Sequence, residues 1–112
     1  ISRVMRKHGS LILGVPFFYW LHEEPYDYHR YTKYKLLQLC RENSFKVIAL
    51  EEVGGPVTVI SDIITKNLPS VFPIKIFQKV MISFLNTRIG KKIDDRKKKQ
   101  FPRNYCLVAE KL

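Results

Sequence analysis

The eleven residues from His22 to Thr32 read H-E-E-P-Y-D-Y-H-R-Y-T and gather five aromatic or imidazole rings, three carboxylates and one arginine. Connecting segments are ordinarily built from Gly, Ser, Asn, Asp and Pro, which satisfy turn geometry without exposing aromatic surface. Such density points to recognition. His22 is placed to take a proton from a hydroxyl nucleophile, because imidazole is the side chain whose ordinary titration lies nearest neutrality. Glu23, Glu24 or Asp27 could orient its ring. A histidine beside a turn proline equally serves to hydrogen-bond the backbone and hold the loop. Asp27 and Arg30 are three apart, a spacing that lets them pair and stiffen the segment or touch a ligand. Tyr26, Tyr28 and Tyr31 offer ring faces and hydroxyls to a ligand or pack beneath a lid, and Phe17, Phe18, Tyr19 and Trp20 are pocket wall or core. His22, Glu23, Asp27 and His29 carry metal-ligand types, but their spacing matches no familiar ligand pattern, so no metal site is expected.

The flanking elements must position this segment. Ser10 to Val15 is a short apolar run of the kind produced by a central parallel strand buried on both faces, with His8-Gly9 as the turn before it. Ile1 to Met5 reads as if it began in mid-helix. Thr32 is a good N-cap, and Leu36, Leu37, Leu39 and Cys40 recur on one face of a helix over Lys33 to Glu42. That helix should stop near Asn43, which is expected to take the left-handed conformation. Phe45 to Val53 reads as a strand, broken by Gly54-Gly55-Pro56. Val57 to Gly90 is too long for a hairpin, and its apolar spacing predicts two helices separated near Pro69 and Pro73. The second, from Ile74 to Ile89, is apolar over more than one stripe. Lys91 to Lys99 holds six basic and two acidic residues without apolar periodicity, which predicts a solvated basic loop over 91–101. A last apolar run centres on Tyr105 to Ala109, within a strand near 103–111.

The order S-L-I-L-G-V-P-F-F-Y-W-L-H-E-E-P-Y-D-Y-H-R-Y-T closely resembles the segment after the fifth strand in class I S-adenosylmethionine-dependent methyltransferases of the methyltransferase type 11 group. The resemblance continues through Lys33 to Glu42, Phe45 to Glu51, Gly54-Gly55 and Tyr105 to Lys111, and so covers most of the chain. One departure is Asn43-Ser44 before Phe45, where the group usually has a glycine. The resemblance implies an α/β fold, the C-terminal part of a Rossmann-like sheet. It would have two parallel strands, an antiparallel last strand inserted between them, flanking helices and a helical insertion over 57–90. It gives Pro16, Phe17, Tyr19, His22, Glu23, Asp27, Arg30 and Tyr31 a substrate-side role, with His22 the candidate base. Ligands in open α/β sheets sit beyond the carboxyl ends of the strands, so Gly54-Gly55 should face the same crevice. The group holds S-adenosylmethionine with a glycine-rich turn after the first strand and an acidic residue ending the second. Neither lies in these 112 residues. The chain is therefore expected to be the C-terminal half of a larger enzyme, inactive alone, with the N-terminal half of the same domain as its partner. The methyl acceptor would be a small or lipid-linked molecule.

Hydrophobic residues make up 46% and aromatics 12%, enough for a folded core. Cys40 and Cys106 form no C-x-x-C and read as small core residues. No signal core or membrane-length run of about 18 apolar residues is present, so a cytoplasmic chain is expected, able to lie against the inner face of the membrane. Net charge is +10. Lys66, Lys75, Lys79, Arg88, Lys91 and Lys92 surround the apolar positions of the second insertion helix. Its bland assignment is a cap or homodimer face, and its sharper one an anionic membrane surface. Nucleic acid would be attracted by the charge, but no recognition module is legible. A non-catalytic interaction domain is a further alternative.

Overall fold

Alternate residues of the last strand, Tyr105, Leu107 and Ala109, are buried, and this strand organises the molecule. The computed structural model describes residues 1–67 and 72–112. Three strands, β1 (Ser10–Pro16), β2 (Phe45–Val53) and β3 (Asn104–Lys111), form one sheet of order β1-β3-β2. Both outer strands pair antiparallel with β3, so they run in the same direction with the last strand between them. The expected insertion of an antiparallel final strand is thus observed, while no directly paired parallel strands occur among the described residues. The register sets Leu11, Leu13 and Val15 opposite Ala109, Leu107 and Tyr105. A bulge between Val47 and Ala49 keeps Val47 and Leu50 beside the same residues and leaves Ile48 exposed.

Helix α1 (Lys33–Glu42) covers this apolar face through Leu36 and Cys40. Thr32 caps it, its hydroxyl accepting from the Lys35 amide at 3.3 Å, as the sequence predicts. At the other end the left-handed residue is Ser44 (φ 58°), not Asn43 (φ −106°). Asn43 instead turns its side-chain amide back to the Leu39 carbonyl at 2.9 Å, satisfying a helix-end acceptor. The opposite face of the sheet is open, and Ile12 is 74% exposed. This corrects the expectation that β1 is buried on both faces: its apolar run has a covering layer on one side only among the described residues. The opening segment, which reads as mid-helix in the sequence, is a short 3-10 turn, Ser2–Val4.

The segment between β2 and β3 holds three helices: α2 (Pro56–Asn67), α3 (Phe72–Asn86) and α4 (Arg88–Arg96), which pack mainly on one another. Pro73 stands in the first turn of α3, where its missing N–H costs nothing. Pro69 lies outside the described residues. The predicted basic loop over 91–101 is corrected by α4, and the helical insertion therefore runs from 56 to 96 rather than 57–90. The Thr87 hydroxyl caps α4 by accepting from the Gly90 amide at 3.0 Å. Asp94 on α4 is buried and binds across to the start of α2. Its carboxylate accepts from the Gly55 amide (2.8 Å), the Thr58 amide (3.0 Å) and the Thr58 hydroxyl (2.8 Å). Two amides at the start of α2 are thus satisfied by a carboxylate supplied from another helix.

Candidate functional site

The segment joining β1 to α1 is tied down by one ion pair. Arg30 meets both oxygens of Asp27, one of them through Nη2 at 2.6 Å, and its Nη2 also donates to the Trp20 carbonyl at 3.2 Å. The Arg30 guanidinium, above all through its hydrogen bonds, holds the Asp27 carboxyl below its ordinary range, with His22 contributing further. The bidentate geometry is the strong form of such a pair. The pairing expected of Asp27 and Arg30 is therefore present.

His22 joins the same knot. Its Nδ1 lies 3.2 Å from the Trp20 carbonyl and 3.4 Å from Asp27 Oδ2, and its backbone amide donates to that carboxylate at 3.4 Å. Both partners of Nδ1 can only accept, so Nδ1 carries the proton, and in the neutral ring Nε2 is left as the acceptor. The ring thus holds the loop with one nitrogen. The Tyr19 ring stands edge-on to it, with centroids 5.2 Å apart.

Two adjoining clefts divide the expected substrate-side residues between them. Pro16, His22, Glu23, Asp27, Arg30 and Tyr31 line a hollow of about 290 Å³. Phe17 and Tyr19 belong instead to an apolar cleft of about 260 Å³, closed on its far side by Val59, Asp62, Ile63 and Lys66 of α2. Phe17, Phe18, Tyr19 and Trp20 are accordingly cleft wall. Phe17 also packs edge-on against Phe18 and Tyr105, which anchors the wall to the core.

Three residues gather at Tyr19 that the sequence did not place there: Lys66, which was singled out only as a cation beside the insertion helix, and Asp62 and Arg103, which were not singled out at all. Lys66 Nζ sits 3.5 Å from the centre of the Tyr19 ring and 5.4 Å from that of Trp20, while Arg103 approaches Tyr19 from 5.2 Å. Asp62 joins the two cations: Arg103 Nε lies 2.6 Å from Asp62 Oδ2, and Lys66 Nζ lies 3.9 Å from it. The Arg103 N–H is aimed off that oxygen, so charge rather than a formed hydrogen bond holds the pair. Lys66, then Trp20, and more weakly Arg103, draw the Tyr19 phenol below its ordinary pKa against the opposing effect of burial. The one local signal was the four-residue spacing of Asp62 and Lys66 on a helix. Nothing in the sequence brings Arg103 to them.

The Gly54-Gly55 turn follows β2 as expected, but it is already filled. Gly54 has φ 71°, and a Cβ on Gly55 would collide with the Asp94 backbone carbonyl. The turn accommodates the chain's own α4, and so provides no glycine-lined cradle for a cofactor.

No protein-family model, curated protein or solved structure matches the chain.

Proposed function

We propose that the chain is the substrate-side portion of an S-adenosylmethionine-dependent methyltransferase fold, inactive by itself, acting on a small or lipid-linked acceptor. The observation that carries this reading is the sheet order β1-β3-β2 with its final strand antiparallel in the middle, joined to the resemblance in the segment after β1. Among the described residues the outer edge of β1 is unpaired and the sheet face around Ile12 is open, which supports it further, since the other half of such a domain would need both. The cofactor would be held by that half.

On this reading the chain's own residues supply the acceptor side. The aromatic wall from Phe17 to Trp20 orients the acceptor. His22 Nε2 receives the proton of a hydroxyl acceptor, while Asp27 and the Trp20 carbonyl fix the ring from behind.

Calorimetric titration of S-adenosylhomocysteine tests the reading. No saturable heat is expected from the 112 residues alone, and saturable binding is expected once a cofactor-binding half is joined to them. Saturable binding to the chain alone overturns the division of labour. In a completed enzyme, His22→Ala turnover near normal with unchanged acceptor affinity removes the base role.

A further inference from the structure

Between Asp62 and Asp94 the chain has no acidic residue, yet Lys66, Lys75, Lys79, Arg88, Lys91 and Lys92 all fall in that stretch. Solvated basic helices are commonly balanced by carboxylates three or four residues away. Here α3 carries cations alone. Its inward side is already spent on folding: Ile74 is buried and Phe77, Met81, Phe84 and Leu85 are half-buried, recurring at three- and four-residue spacing. Its outward side carries a second apolar set, with Ile76 48%, Val80 58% and Ile82 61% exposed beside exposed Lys75 and Lys79. On α4, Ile89 and Ile93 are likewise exposed beside Lys92.

We propose that the outer side of α3, extended by Ile89 and Ile93 of α4, docks on an anionic lipid bilayer. A bilayer matches both parts of the observation. Anionic headgroups attract the lysines, and the acyl boundary receives the branched side chains that water hydrates at a cost, while lysine stems reach back to the headgroups. A second copy of the chain fits poorly, because it would set Lys75 and Lys79 against like charges with no carboxylate on that side. No helix among the described residues is long and apolar enough to cross a membrane, so the contact lies in the plane of the interface. This inference does not depend on the proposed enzymatic role.

The test is co-sedimentation of the 112-residue chain with vesicles of phosphatidylcholine alone and of phosphatidylcholine mixed with phosphatidylserine. Binding is expected to the mixed vesicles and to be at least tenfold weaker to the neutral ones. The paired change Lys75→Gln and Lys79→Gln should weaken it by an order of magnitude or more, from about fivefold for each cation removed. Replacing Ile76, Val80 and Ile82 with Ser should abolish the binding that survives moderate salt. These side chains are exposed, so the fold should persist, as circular dichroism will verify. Failure to sediment with anionic vesicles overturns the proposal. So does binding that salt abolishes fully and the serine variant leaves unchanged, because that is bare charge attraction. A dimer in vesicle-free solution that the serine variant dissolves, or an oligonucleotide whose binding that variant weakens equally, assigns the surface to another partner and also overturns it.

Discussion

The sheet with α1 and the unit made by α2, α3 and α4 are held together by different physics. Under α1, Leu107, Ala109, Leu36 and Cys40 are almost fully excluded from water, and the strands that present them also satisfy one another's backbone. In the helical unit Val59 and Ile74 are the only buried apolar side chains among the described residues, and the tie between α2 and α4 is the buried Asp94 carboxylate. Apolar burial is tolerant of direction, whereas a buried carboxylate is stabilising only while all its donors are in place. The first region should therefore unfold as a unit, and the second should come apart through a single atom group.

Leu107→Ala should break the first region and have the largest effect, about 4 kcal/mol of lost stability in chemical denaturation, because it opens a cavity where β3 meets α1. Asp94→Ala comes next at about 3 kcal/mol, since it removes three hydrogen bonds to a charged group and strands the Gly55 and Thr58 amides. Hydrogen exchange sharpens the contrast: protection of the α2 amides should fall while that of β3 stays. Equal loss in both regions would mean that they fold as one.

The two threonine caps compare the regions at matched chemistry. Thr32→Ala and Thr87→Ala each remove one hydroxyl acceptor and should each cost about 1 kcal/mol. The first should register in global unfolding, and the second only in local exchange of α4.

The smallest effect is expected at Asp27, whose folded pKa is depressed chiefly by Arg30. A depressed carboxyl contributes stability that is fully present at neutral pH and is lost as pH falls through the folded pKa. Fluorescence of Trp20, the chain's single tryptophan, should therefore change on acidification below about pH 4, the ordinary carboxylate range. The transition should vanish in Asp27→Asn. Persistence of the same transition in that variant would detach the loop's order from this pair.

Much of the first region was legible because its signals are local. Thr32 before an apolar i, i+3, i+4 pattern marks α1, and the apolar runs at 10–15, 45–53 and 103–111 mark strands within a residue or so of their observed bounds. Asp27 with Arg30 was legible for the same reason, three residues apart in one loop. α4 was not, because its sequence is dominated by charge and its one inward polar residue, Asp94, looks no different from the adjacent exposed Asp95. Lys66 and Arg103 were missed at the cleft because each reaches Tyr19 from a remote point of the chain.

By itself, then, the sequence determined the periodicity of the strands and of α1, the Thr32 cap of α1 and the chemical richness of the segment from Phe17 to Thr32, all set by neighbours within a turn or a strand. Only the tertiary structure decided which of two neighbouring aspartates turns inward to cap α2, that Asp62, Lys66 and Arg103 converge on Tyr19, and that one face of the sheet stays open. These depend on distances between residues far apart in the chain, where closing the loop is favourable only when many other contacts form at once.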